Sequence, residues 1–178
     1  MDRETLRGVQ QPLKQLYRER PEAGTILLEA SGTLGEEGLS CSVQTGRAMV
    51  EAGLHPATGG DGSLACSGDL LLQALVACAG VTLAAVATNR SIAVSGTVRA
   101  EGELDVRGTL GMDPGAPVGF RNIRLSFELQ TDAGDREVAD LVATTEKYCV
   151  VLQTLLGPVS VAVTAHATTA GPEAQAQA

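Results

Sequence analysis

Four cysteines and two histidines carry the most reactive side-chain chemistry in this sequence. Cys78 stands within SGDLLLQALVACAGVTLAAVATNR, an apolar run from Ser67 to Arg90. Between residues 70 and 87 only Gln73 and Thr82 are clearly polar. Cys149 follows about seventy positions later, within TTEKYCVVLQTLLG. Two thiols in apolar surroundings have two readings: small buried core residues, or a redox couple. Spacing does not decide between them, because a disulfide needs the two Cα atoms within roughly 7 Å. Cys41 reads as a small apolar residue of a strand, and Cys66, close ahead of Asp69, as a spare thiol or a redox neighbour. Metal-ligand spacing of the CxxC, HxH or HExxH kind is missing, so neither a metal nor a cofactor is expected. Nucleophilic hydrolysis fares no better. There is no GxSxG, and His55 lies in GRAMVEAGLHP without a protease motif. The GGDG stretch at 59–62 has no following GK[ST] to make a phosphate loop.

The elements that must position these thiols follow from periodicity. Leu and Ala dominate the Cys78 segment and favour helix. Ser67 with Asp69 suits its start, and Asn89-Arg90 its end. A helix apolar on every face is surrounded by protein or lipid, and its length is close to a membrane span. No second such segment exists and the rest of the chain reads as strands and charged loops, so the expectation is a buried central helix and no membrane. Around Cys149, Val138, Leu141/Val142, Thr145, Tyr148/Cys149, Leu152 and Leu155/Leu156 recur at helical spacing, predicting one helix from Asp135 to Gly157-Pro158. Residues 3–18 predict a short amphipathic helix whose stripe Leu6–Leu16 must cover the core or a partner subunit. Short strands are expected over 24–51, an open loop over 52–68 and a strand over 91–106. A turn-rich excursion is expected over 107–119. Ile123, Leu125, Phe127 and Leu129 then alternate with polar residues in a half-buried strand, and Val159, Val161 and Val163 in a last one.

The resulting order is α+β, with antiparallel sheets able to pack on two long cysteine-bearing helices. Residues 1–170 are expected to form one domain and 171–178 a disordered tail. A net charge of −8, a pI near 4.7 and the lack of Trp or a basic stretch argue against nucleic-acid binding. MDRETLRG has no apolar core of a secretory signal, which makes a cytoplasmic protein with reduced thiols the expectation.

Taken together, DLLLQALVACAGVTL and TTEKYCVVLQTLLGPVSV resemble the OsmC/Ohr family of osmotically induced and organic-hydroperoxide-resistance proteins. The likeness runs in element order over residues 24–165, and EGELDVRGTLGMDPGAPVGFRNIRL looks like the strand–loop–strand some members carry between the cysteines. The resemblance implies an OsmC-like fold in an intertwined homodimer. It implies a thiol peroxidase for organic hydroperoxides, with Cys78 attacking, Cys149 resolving and an external dithiol restoring the pair. In the peroxidase members an arginine held by a glutamate keeps the first thiol ionised. Here the Pro-Glu positions hold Ser67-Gly68, with Asp69 one residue late, and no arginine lies near 56–60. Arg47 and Asp69 are the expected replacements for that pair, with Arg107 a further candidate. The missing charges also support an alternative: the same fold serving as an apolar small-molecule binder or redox sensor without efficient turnover.

Overall fold

The computed structural model describes residues 3–34, 41–43 and 52–166. Arg47 and the expected tail at 171–178 lie outside them. Helix α1 spans Arg3–Glu19 and strand β1 Thr25–Leu34, paired with the short β2 over Cys41–Val43. Residues 52–68, read from the sequence as an open loop, are tied down. Strands β3 (Ala52–Gly53) and β4 (Ala65–Cys66) pair in parallel, and a single 3-10 turn covers Pro56–Thr58. The buried Tyr17 of α1 donates its hydroxyl to the Ala57 carbonyl at 2.6 Å, an anchor invisible in local sequence. Helix α2 follows over Ser67–Asn89, then β5 (Ser95–Asp105), the one-turn α3 (Val106–Thr109) and β6 (Phe120–Gln130). Helices α4 (Asp135–Tyr148) and α5 (Val150–Leu156) complete the order.

The main sheet is antiparallel in the order β2-β1-β5-β6, with β6 at its edge among the described residues. Helix α2 lies on it, and Leu72, Leu75, Val76, Ala79 and Leu83 are all fully buried on one face. Val98 and Ala100 of β5 and Leu141 of α4 meet that face in one core. Each fully buried Leu or Val contributes about 1.5–3 kcal/mol. The surface ion pairs are worth about 0–1 kcal/mol each, so this single helix face outweighs them. Gly102 of β5 lets the core close. A Cβ there would stand 2.5 Å from the Phe120 ring and 3.4 Å from Leu72. Arg90, the residue capping α2, bonds Asp140 and Thr144 of α4, each at 2.8 Å, which links the end of α2 to α4. By length and composition α2 could also cross a membrane. Here its buried face is the centre of the core.

Three features differ from the sequence reading. The residue capping the start of α2 is Cys66, in extended backbone and without a side-chain cap bond, so Ser67 already belongs to the helix. Second, there is one long cysteine helix, not two. The segment expected to run unbroken to Gly157 stops at Tyr148 and restarts at Val150, with Cys149 between at φ −71° and ψ 105°. Tyr-Cys-Val-Val is a run of weak helix formers, and nothing in it resists the break. Third, residues 158–166 form no strand, and Val159, Val161 and Val163 are exposed. Their alternation suits a strand, yet among the described residues no strand pairs with them.

Candidate active site

Helix α2 presents Leu71, Cys78 and Val81 away from the sheet; Leu71 and Val81 are exposed and Cys78 is half-buried. Cys149 is fully buried at the junction of α4 and α5. The two thiols are free and share one neighbourhood: Cys149 belongs to the buried core cluster against which Cys78 packs, and each shifts the other's ionisation.

The break at Cys149 determines what else reaches Cys78. In a continuous helix the Val150 and Val151 N–H groups would bond the carbonyls four residues back. Opening a new helix leaves its first N–H groups without intrahelical partners. At this junction both favour the Cys78 anion, as does the Thr82 hydroxyl one turn along α2. The Glu146 carbonyl released by the break accepts from the Gln153 side chain at 2.8 Å, so the break strands no polar group there. Cys149 N–H still bonds Thr145, and the Cys149 carbonyl accepts from Gln153 N–H at 2.9 Å, which holds the junction from both sides.

These contacts separate the two thiols. Burial pushes the Cys78 thiol up, but donation from Val151, Cys149, Thr82 and Val150 outweighs it and brings the thiol below its ordinary range. Burial also pushes Cys149 up. The Leu152 N–H opposes this, while the neighbouring Cys78 sulfur adds to it, and Cys149 ends above the ordinary range. Cys78 is therefore the sulfur that ionises, and Cys149 holds the proton. The arrangement provides an activated nucleophile beside a protonated partner thiol.

The remaining expected residues stand elsewhere. Asp69 lies in the first turn of α2, nine residues before Cys78, about 13 Å along a helix axis. Burial raises its carboxyl against the pull of His55. Arg107 is occupied by Asp105, at 2.6 and 2.9 Å, and by Asp113 at 3.4 Å. Cys66 is about 18 Å up the same helix axis from Cys78. It lines a separate cavity of about 400 Å³ with His55 and Phe120. Cys41 pairs in register with Leu34 at the sheet edge. Among the described residues no three His, Cys, Asp or Glu side chains converge as a metal site.

Sequence reasoning missed Thr82, Val150, Val151 and Gln153. Thr82 carried a signal, as the polar residue four positions after Cys78 on a helix. The two valines carried none, since they act through backbone N–H groups that every non-proline residue has. A cavity of about 820 Å³ opens between β6, α4 and α5. Leu75 and Leu152, each about one turn from a cysteine, line it with Ile123 and Leu125, and Arg121 and Lys147 also border it.

A family model described as OsmC-like protein matches residues 60–164. Among solved structures, an OsmC-like hydroperoxide resistance protein from Jannaschia sp. CCS1 aligns with a TM-score of 0.54. It is 15% identical, over 78% of this chain and 91% of that one. The likeness is one of fold. No curated protein matches the chain.

Proposed function

The chain belongs to the OsmC-like protein family, and from that premise we propose that it is a thiol-dependent peroxidase reducing organic hydroperoxides. The observation that carries the proposal is the juxtaposition of two free thiols, Cys149 in the buried core and Cys78 packed against it at the α4–α5 junction, with opposite shifts in their ionisation. The Cys78 thiolate attacks the terminal hydroperoxide oxygen. The O–O bond breaks, the alkoxide takes a proton and leaves as the alcohol, and Cys78 becomes a sulfenic acid. Cys149 then attacks that sulfur. An S–S bond forms, and the sulfenic oxygen leaves as water with the Cys149 proton. An external dithiol reduces the disulfide by exchange. Asp69 stands about 13 Å along α2 from Cys78, so no step is placed on it; Arg47 lies outside the described residues. The cavity lined by Leu75, Ile123, Leu125 and Leu152 offers apolar surface for the organic part of a hydroperoxide, within about one helical turn of each cysteine along the chain.

A homodimer is part of the same reading. The stripe around Cys78 and the valines of 158–166 are exposed apolar surface, and β6 is a sheet edge among the described residues. A second copy covering them would enclose the thiols. A cytoplasmic setting, where dithiols regenerate the pair, fits the mechanism.

Purified protein with a dithiol reductant should consume cumene hydroperoxide, and Cys78→Ser should abolish consumption while leaving the circular dichroism unchanged. Equal consumption by the Ser variant would end the proposal. In Cys149→Ser, intact mass after peroxide should show added oxygens where the parent loses two hydrogens. The cavity of about 820 Å³ also favours a second reading, ligand binding or redox sensing without turnover. That reading predicts a Cys78 thiol that alkylates only near or above the free-cysteine range of about 8.5.

A further inference from the structure

We propose that Gln153 is a positioning residue for Cys149, a clamp that holds the α4–α5 break in place and so keeps the Cys149 thiol in the core beside Cys78. The proposal rests on the reading of the two thiols as a redox pair and adds a residue to it. A glutamine on a helix surface ordinarily faces water or pairs with a side chain three or four residues away. Gln153 instead reaches seven residues back, its Nε2–H donating to the Glu146 carbonyl at 2.8 Å. Its backbone N–H donates to the Cys149 carbonyl at 2.9 Å, and its own carbonyl accepts from the Gly157 N–H at 3.0 Å. One residue therefore holds the last turn of α4, the junction residue and the end of α5.

The acceptor identifies what the bond does. In a continuous helix the Glu146 carbonyl would take the Val150 N–H, four residues on, and Gln153 would stand about 10.5 Å further along the axis. Here Cys149 leaves helical backbone at ψ 105°, and the Gln153 amide takes the place that the Val150 N–H gives up. A carbonyl left without a donor would favour the continuous helix; one already bonded does not. Gln153 thus stabilises the break against its nearest alternative. What depends on the break is the wall over the thiols. Resuming the helix would turn ψ of Cys149 by about 150° and swing α5 away from its present direction. Val151 and Leu152 of α5 now pack, as Cys78 does, against the core cluster that contains Cys149. The clamp keeps them there. Its own bond lies at the surface, so it can be removed without opening the core.

The test is the equilibrium between the Cys78–Cys149 disulfide and the two thiols. It is measured on the full chain in buffers of reduced and oxidised dithiothreitol, with alkylation of the Cys78 and Cys149 peptides read by mass spectrometry. Gln153→Leu removes the donor; Gln153→Arg keeps an N–H donor of sufficient reach. Loss of one hydrogen bond that favours the paired geometry should lower the disulfide's equilibrium constant about fivefold, a reduction potential about 20 mV higher. Gln153→Arg should restore the parent value. Gly102→Ala, which disturbs the core at Phe120 and Leu72 away from the junction, should lower stability and leave the constant where it was. A Gln153→Leu constant equal to the parent's, or moved no further than that of Gly102→Ala, overturns the assignment, as does failure of Gln153→Arg to restore it. Should Gln153→Leu not fold, Gln153→Ala against Gln153→Arg decides in the same way. The readout needs no hydroperoxide. A shifted constant in a chain that never consumes peroxide refutes the peroxidase reading and leaves Gln153 assigned, whereas turnover with an unmoved constant refutes Gln153 alone. A parent chain that forms no Cys78–Cys149 disulfide at any buffer ratio refutes both.

Discussion

Val150→Pro tests the helix break on which the site depends, because the two geometries give effects of very different size. In a continuous helix, proline at 150 would delete a hydrogen bond and strike the carbonyl four residues back, costing about 3 kcal/mol or more. For a chain of 178 residues, at about 2–4 °C per kcal/mol, Tm would fall by about 6–12 °C. The structure instead puts Val150 at the first position of α5, where proline is favoured. Cys149, at φ −71° and ψ 105°, already has the extended backbone that precedes a proline. The Val150 side chain is 71% exposed, so little burial is lost. Reduced freedom of the unfolded chain stabilises by about 0.4–1 kcal/mol, against which stands the lost N–H donation to Cys78. Set against about 0.5–1.5 kcal/mol for that hydrogen bond, the net change should lie between about −1 and +0.5 kcal/mol, a Tm within about 4 °C of the parent's. Differential scanning fluorimetry and urea unfolding both read this. A Tm lowered by about 6 °C or more would show an unbroken helix and remove the donors from the Cys78 sulfur.

Further outcomes follow from the same geometry. Arg107 hydrogen bonds hold the buried Asp105 carboxyl below the usual carboxylate range, against the upward push of burial. A depressed pKa contributes stability above the unfolded value of about 3.9 and loses it as pH falls through the folded one. Asp105→Asn should therefore unfold at lower urea than the parent at pH 7, with the difference shrinking below about pH 4; a gap constant down to pH 2 would contradict the pairing. Gly102→Ala should cost about 1–3 kcal/mol by forcing the Phe120 ring aside. Gly119→Ala, with nothing within 4 Å of its Cβ, is the matched control, and equal urea midpoints for the two would refute the packing. Gln153→Leu leaves the Glu146 carbonyl without its side-chain donor and should cost about 1 kcal/mol. Amide exchange at Val150 and Val151 should rise with it.

Much of this was legible in the residues. The unbroken Leu/Ala run around Cys78 gives α2, and the alternation of Ile123 to Leu129 gives β6. The break at Cys149 was not legible, because the stripe of Leu141, Thr145, Cys149 and Leu152 keeps its spacing across it. Periodicity reports which residues face the core and is blind to a single residue leaving helical backbone. The valines of 158–166 show the converse, since alternation describes a chain able to pair and says nothing about whether a partner strand is present. The charge pair was sought among side chains, where electrostatics is usually read. Here the donors are two amides, a thiol and a hydroxyl, and only the last two are visible as letters.

Support from uncharged donors has a consequence for the conditions under which the thiol works. Ions in solution screen separated charges over about 8 Å at physiological ionic strength, and an exposed arginine can also be occupied by phosphate or another anion. Amide and hydroxyl dipoles at the Cys149 junction offer dissolved anions no comparable charge to compete for. A thiol supported by such dipoles is less sensitive to salt than one tuned by an exposed cation, and its reactivity follows the geometry of the Cys149 junction.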